Sequence, residues 1–572
     1  MPLLLGNEAV ARGLYEAGCA FVSSYPGTPS TEITEFAARE LYAEWAPNEK
    51  VALEAAFGAS MSGARAFSGM KHVGLNVAAD PLFTAAYTGV NGGLVVAVAD
   101  DPGMHSSQNE QDSRHYAEAA KLPMLEPSDS EECLTFTKLA FELSERFDTP
   151  VLLRLTTRVS HSRGVTRLGQ KFEGERKAYA KDASKYVMVP ANARRRHAAV
   201  EERLVELGNY CETAEINKIE WGSKRKIGVV AAGIAYRTAR EALGDEVSYL
   251  KLGMVYPLPV GAIIELAEAV DELWVLEELD DFIETHCKKH GIKVRGKADL
   301  SPLGEYAVEN LRQIILNVQK KGGEPQSDIP ARPPALCPGC PHRGVFFVLN
   351  KMNFTVFGDI GCYTLGAAPP LNAMDMTLCM GASIGALHGF LKANPAAASR
   401  AVAVIGDSTF IHSGLTGLVN SVYNNTNSTV IIVDNSITGM TGHQQNPATG
   451  RTLLGAFAPA LDLETVCHAL GIAQVSVIDP GDLSLLEKTI RNHTLLDAPS
   501  VIIARSPCVL LPGVERKEPP KVADCKNCKF CMKLGCPALV SLEKRVAIDE
   551  SLCVGCGLCA KLCRFDAIGG AE

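Results

Sequence analysis

Val402-Ala403-Val404-Ile405-Gly406-Asp407-Ser408 and Val430-Ile431-Ile432-Val433-Asp434-Asn435-Ser436 are two short apolar runs, each ending in a polar turn. Runs of this length read as buried parallel strands. Between them Thr409 to Asn425 has helical spacing, and twenty-six residues separate Ser408 from Asn435. A strand–helix–strand unit brings both strands to one sheet edge, where ligands bind in open α/β sheets. Asp407 and Asn435 are therefore expected side by side. One carboxylate, one amide oxygen and a backbone carbonyl, taken as that of Ile437, suit Mg2+ on a diphosphate. The helix that starts after Gly406 adds N–H groups for the phosphate. Alone, Gly406-Asp407-Ser408 is an ordinary strand-end turn; the spacing and the paired strands give it weight.

Outward from this unit, the chain of 572 residues alternates strand-like and helix-like segments, which predicts parallel sheets with right-handed crossovers. Gly93 to Ala99, Lys226 to Gly233 and Trp274 to Glu278 read as further strands. The expected domains are 1–165, a charged connector 166–225, a third α/β domain 226–325, a diphosphate-binding domain 331–513 and a tail 521–572. Pro325 to Pro334 marks a boundary. Apolar content of 47% is ample for packed cores, and the net charge of −9 argues against a nucleic-acid binder. No apolar run is long enough to span a membrane, and the first residues lack a basic leader. A cytoplasmic protein is expected.

The tail holds eight of the eighteen cysteines, in the runs Cys525-x2-Cys528-x2-Cys531-x4-Cys536-Pro537 and Cys553-x2-Cys556-x2-Cys559-x3-Cys563. Such runs hold 4Fe–4S clusters, with the fourth cysteine of each reaching the other cluster. The expected sets are Cys525, Cys528, Cys531 and Cys563, and Cys553, Cys556, Cys559 and Cys536. Paired zinc knuckles would lack the third cysteine in register. The x4 spacing before Cys536 departs from the usual x3.

Gly406-Asp407-Ser408 followed by Asn435-Ser436 resembles the thiamine diphosphate motif, with Ser408 and Ser436 in place of a Gly and an Asn. That resemblance implies a carboxyl elsewhere that shares a proton with N1′ of the aminopyrimidine, nine residues before a Gly. Glu49 before Gly58 and Glu54 before Gly63 both meet the spacing. Glu54 is preferred because it opens a run of small residues; Glu49 follows the N-cap candidate Asn48 and is the fallback.

Ser24-Tyr25-Pro26-Gly27-Thr28-Pro29-Ser30-Thr31, Gly58 to Arg65, Cys337-Pro338-Gly339-Cys340-Pro341-His342 and Gly358-Asp359-Ile360-Gly361-Cys362 resemble segments of the 2-oxoacid:ferredoxin oxidoreductases. The order of segments resembles the large subunit of the members that act on aryl 2-oxoacids. The resemblance implies a multidomain α/β thiamine-diphosphate-binding fold with a C-terminal two-cluster ferredoxin-like α+β domain. It places Gly361 and Cys362 in the thiamine-binding half and Thr28 at the substrate carboxylate, with Arg114 as a further candidate for that anion. His443 is a candidate for the diphosphate or the substrate. Cys337, Cys340, Cys362 and Cys508 match a third, proximal cluster. The implied reaction is oxidative decarboxylation of an aryl 2-oxoacid to an acyl-coenzyme A, with electrons passed through the clusters to ferredoxin. The implied partner is a small beta subunit, in an alpha2beta2 hetero-oligomer. Another 2-oxoacid as substrate, a non-redox thiamine decarboxylase and a degenerate electron-transfer subunit are the alternative readings.

Overall fold

The computed structural model describes residues 1–173, 176–318, 329–330 and 333–569. Most of the expected boundary Pro325–Pro334 lies outside the described residues, as do the last three of the tail. The chain divides into two compact units, Met1–Pro325 and Gln326–Glu572.

The first unit contains a seven-stranded sheet in the order Met254–Tyr256, Met124–Leu125, Val151–Thr156, Leu94–Asp100, Ala66–Lys71, Phe21–Ser24, Ala43–Trp45. All neighbours run parallel except the first pair. Leu94–Asp100 is buried at every position, which is why it reads as an unbroken apolar run. A four-stranded sheet is ordered Glu272–Leu276, Ile227–Ala232, Ser248–Leu252, Lys218–Glu220, with the last strand antiparallel. The segment 166–225 supplies that antiparallel strand and the helix Pro190–Thr213, which opens on a proline at its first turn. Met254–Tyr256 leaves the small sheet to complete the edge of the large one.

The second unit is built on a five-stranded, wholly parallel sheet: Thr355–Phe357, Ala401–Gly406, Thr429–Asp434, Ser500–Arg505, Gln474–Ile478. Its strands feed two cores by simple alternation. Val402, Val404, Ile431, Val433 and Ile502 pack on one face, and Ala403, Ile405, Val430, Ile432 and Ile503 on the other. Each fully buried Val or Ile contributes about 1.5–3 kcal/mol of transfer free energy. The segment after Gly406 is helical from Asp407 to Tyr423, through a π-helical turn at Phe410–Gly414. The tail carries two small antiparallel pairs, Lys521–Val522 with Ile568–Gly569 and Leu539–Ser541 with Val546–Ile548, around a satellite core that includes Cys531 and Val546.

Candidate active site

The strands Ala401–Gly406 and Thr429–Asp434 end at the same sheet edge, in register Gly406↔Val433. Their loops therefore emerge together. Thr438 Oγ1 donates to Ser408 Oγ at 2.9 Å, so the serine that replaces a glycine ties the two halves of the motif. Asp407 is buried and its Oδ2 meets no hydrogen-bond partner among the described residues. Burial and the nearby Asp434 push its carboxyl up to about 7. A buried oxygen with its charge uncompensated is costly, and a hard cation is what such a donor set satisfies. Asn435 is buried, Ile437 is buried beside it, and Ser436 takes a left-handed φ of 60° while its N–H caps Asp434 Oδ1. Asp434 itself is held by Arg505 at 2.7 Å.

Tyr363 decides two glycines here. A Cβ at Gly361 or at Gly406 would come within 2.4 Å or 2.6 Å of its ring. Asp359, between Gly358 and Ile360, accepts from the N–H groups of Ile360, Gly381 and Ser383 and so pins the start of helix Ala382–Ala393.

Twelve of the cysteines fall into three neighbourhoods within the second unit. After burial, the charges that raise the Cys531 thiol are those of Cys528, Cys525 and Cys563. Those that raise Cys559, to about 12, are Cys556, Cys536 and Cys553. The interleaved sets read from the spacing are thus spatial neighbours, and the x4 departure before Cys536 leaves it with the second run. Cys536, Cys553, Cys556 and Cys559 line a small cavity of about 20 Å³ together with Gly339 and Arg343. Backbone N–H groups point at the sulfurs of Cys525, Cys553 and Cys563, at 3.2 to 3.5 Å, the kind of bond that tunes the potential of a cluster held by thiolates.

The third neighbourhood is Cys337, Cys340, Cys362 and Cys508. After burial, Cys362 is raised to about 11 by Cys337 and Cys508, and Cys340 to about 12 by neighbours that include Cys362 and Cys337. No three cysteine sulfurs among the described residues come within 4.8 Å of one another. This neighbourhood borders the loop 435–439. A Cβ on Gly439 would lie 3.4 Å from Cys362 Sγ and 3.7 Å from Asn435 Nδ2. His443 Nε2 sits 3.9 Å from Cys508 Sγ, so this histidine stands at the proximal cysteines.

In the first unit the structure reverses the preference between the two glutamates. Glu54 is exposed and ion-paired with Lys50, four residues away on helix Glu49–Met61. Glu49 is only 5% exposed and packs so closely on Gly74 that a Cβ there would meet its Oε1 at 2.6 Å. Asn48 caps the helix by accepting from Val51 N–H at 2.9 Å, which sets Glu49 in the first turn and turns it inward.

Arg114 is also corrected. It is 1% exposed and grips Asp112 through Nε and Nη2, Glu277 through Nη1 at 2.5 Å, and the carbonyls of Glu278 and Asp280. These bonds join the large sheet to the small one, and two buried carboxylates occupy the guanidinium there. Lys71, at the end of strand Ala66–Lys71, is the cation that sequence reasoning missed. Its Nζ donates to Ser106 O at 2.6 Å, and Ser106 Oγ lies 3.4 Å from Thr28 O. Burial pushes it down to about 8. The only sequence signal was its place at the carboxyl end of a strand.

This geometry defines a thiamine-diphosphate-type diphosphate edge coupled to cysteine clusters. Comparisons with known proteins agree. Residues 12–215 match the family described as "Pyruvate flavodoxin/ferredoxin oxidoreductase, thiamine diP-bdg". Residues 359–504 match "Thiamine pyrophosphate enzyme, C-terminal TPP binding domain" and 546–569 match "4Fe-4S binding domain". The indolepyruvate oxidoreductase subunit IorA of Archaeoglobus fulgidus is 40% identical, covering 100% of this chain and 97% of its own. That of Methanothermobacter thermautotrophicus is 42% identical, covering 99% and 96%. The 2-oxoglutarate synthase subunit KorA of Archaeoglobus fulgidus is 27% identical over 48% of this chain and 88% of its own. The chain belongs to the indolepyruvate oxidoreductase IorA family, within the thiamine-diphosphate-dependent, iron–sulfur 2-oxoacid:ferredoxin oxidoreductases. Among the described residues no helix is long and apolar enough to cross a membrane.

Proposed function

We propose that this chain is the large subunit of an enzyme that oxidatively decarboxylates aryl 2-oxoacids of the indolepyruvate type. The 2-oxoacid anion, coenzyme A and two oxidised ferredoxins give an acyl-coenzyme A, carbon dioxide, a proton and two singly reduced ferredoxins. The observation that carries this reading is the contact between the metal loop and the proximal cysteines, where Cys508 N–H donates to Asn435 O at 3.0 Å. A non-redox decarboxylase has no use for cluster ligands at that position.

Asp407, Asn435 and the carbonyl of Ile437 hold Mg2+, and the helix from Asp407 offers its N–H groups to the diphosphate. Thiamine diphosphate, when bound, supplies the electron sink that lets carbon dioxide leave. Glu49 holds a proton at N1′ of the pyrimidine, a task that suits its burial. Lys71 and Thr28 take the substrate carboxylate. Cys337, Cys340, Cys362 and Cys508 bind a proximal 4Fe–4S cluster, Cys536, Cys553, Cys556 and Cys559 a second, and Cys525, Cys528, Cys531 and Cys563 a third. These three sets of cysteines would hold clusters that supply one-electron acceptors for a two-electron product. The relatives are named as subunits, and a separate small beta subunit completes this enzyme in an alpha2beta2 assembly. A reducing cytoplasm suits the thiolates.

Anaerobic absorbance at the iron–sulfur band tests the reading. With thiamine diphosphate, Mg2+ and coenzyme A present, indolepyruvate and phenylpyruvate should bleach the clusters, and pyruvate and 2-oxoglutarate should not. Bleaching by pyruvate or 2-oxoglutarate alone would overturn the substrate class, and no bleaching with clusters intact would overturn the redox chemistry.

A further inference from the structure

Arg343 stands apart from the other buried cations of this chain. It is 2% exposed, and no carboxylate pairs with it among the described residues. Its Nη1 donates to Leu534 O at 2.6 Å, and its Nη2 to Leu336 O at 2.6 Å and Cys337 O at 2.9 Å. Its Nε has no acceptor among the described residues. After burial, the groups that act most on it are cysteines from two neighbourhoods: Cys536 and Cys556 of the tail, Cys340 and Cys337 of the proximal loop. It also lines the cavity between Cys536, Cys553, Cys556 and Cys559. The two loops touch there. Gly339, at φ +73°, would drive a Cβ to 2.1 Å from Val554 Cγ2, so only glycine lets the Cys337–Cys340 loop seat on the Cys553–Cys556 loop.

A desolvated guanidinium needs a counter-charge. The thiols of the structure stand in for thiolates, and a cluster with four thiolates is anionic and gains one more negative charge on reduction. In a low-dielectric interior a fixed cation therefore favours the reduced form of a cluster beside it.

We propose that Arg343 is the shared counter-ion of the proximal cluster and the cluster of Cys536, Cys553, Cys556 and Cys559, raising both reduction potentials and bracing the contact through which electrons pass between them. This rests on the reading of Cys337, Cys340, Cys362 and Cys508 as cluster ligands. Arg343 is a positioning residue: it holds charge and geometry and touches no substrate.

The test is iron analysis with an EPR-monitored redox titration of the full, anaerobically purified enzyme, signals being assigned by their loss in C528S and C556S. R343Q keeps donors for the carbonyls and removes the charge. It should move both neighbouring clusters to more negative potential and leave the Cys525 set in place. R343K should stay near the wild type. Unmoved potentials in R343Q, a uniform shift of all clusters, or an R343K shift as large as that of R343Q would each overturn the proposal. Wild-type iron sufficient for two clusters only would overturn the proximal reading first, and the shared role with it. Should both variants lose iron, the wild type decides: the Cys536 set must titrate at more positive potential than the Cys525 set, and the reverse order overturns the proposal.

Discussion

The backbone N–H of Cys508 donates to the carbonyl oxygen of Asn435 at 3.0 Å, one strand end bound to the next. Strand Ser500–Arg505 pairs with Thr429–Asp434, so the residues just beyond each strand are obliged to meet. The cofactor loop and the proximal cysteine are therefore positioned by one element of backbone.

C508S is expected to retain the fold and the diphosphate site while losing the iron of one cluster. Iron analysis and thiamine diphosphate binding, measured on the same sample, separate these effects. Full iron in C508S would remove Cys508 from the ligand set.

D407N replaces a buried carboxylate whose Oδ2 has no partner among the described residues. Loss of a charged ligand oxygen costs about 1.5–3 kcal/mol, tenfold or more in affinity. Calorimetric titration of thiamine diphosphate with Mg2+ should show that loss, and an unchanged affinity would place the metal elsewhere.

E49Q and E54Q separate the two glutamates. Removing a proton-sharing carboxyl lowers kcat by roughly 10²–10⁴, so E49Q should show that fall at unchanged substrate KM. Glu54 holds only an exposed pair with Lys50, which solvent screens, and E54Q should match the wild type. Steady-state rates with saturating cofactor decide between them, and the opposite ranking would return the role to Glu54.

Lys71 gives the expected pH dependence. Burial lowers its ammonium to about 8, so the cation is present below that pH and lost above it. The KM for the 2-oxoacid should be flat to pH 8, then rise by up to about tenfold per pH unit. K71M should have the raised KM at pH 7 and no such rise. A wild-type KM that stays flat to pH 9 would detach Lys71 from the substrate.

Arg114 tests structure against catalysis. R114A leaves Asp112 and Glu277 buried without their partner, a loss of about 3–5 kcal/mol. Urea unfolding should register it in the midpoint, while R114K in a stable background should leave the substrate KM unchanged.

The parallel strands were legible because each position of Ala401–Gly406 and Thr429–Asp434 is buried, which leaves uninterrupted apolar text. The cysteine sets were legible because cluster ligands are local in sequence. Glu49 and Glu54 share the same spacing to a glycine, and spacing does not say which face of a helix turns inward; Gly74, which receives Glu49, lies twenty-five residues on. Arg114 was misread for the same reason, since Glu277 is 163 residues away. Arg343 directly follows the Cys337–His342 motif, but its tail contacts were not legible there, since Leu534 lies 191 residues away.

The strand Met254–Tyr256 completes the edge of a sheet whose other members end at Thr156. During synthesis that edge stays bare until some hundred further residues have left the ribosome, presenting unpaired backbone at Met124–Leu125. Long-range closure of this kind slows folding and exposes the nascent chain to sticking. The seven-stranded sheet is therefore completed only by a later part of its own unit, and a fragment cut at residue 165 should aggregate where the unit to residue 318 remains dispersed.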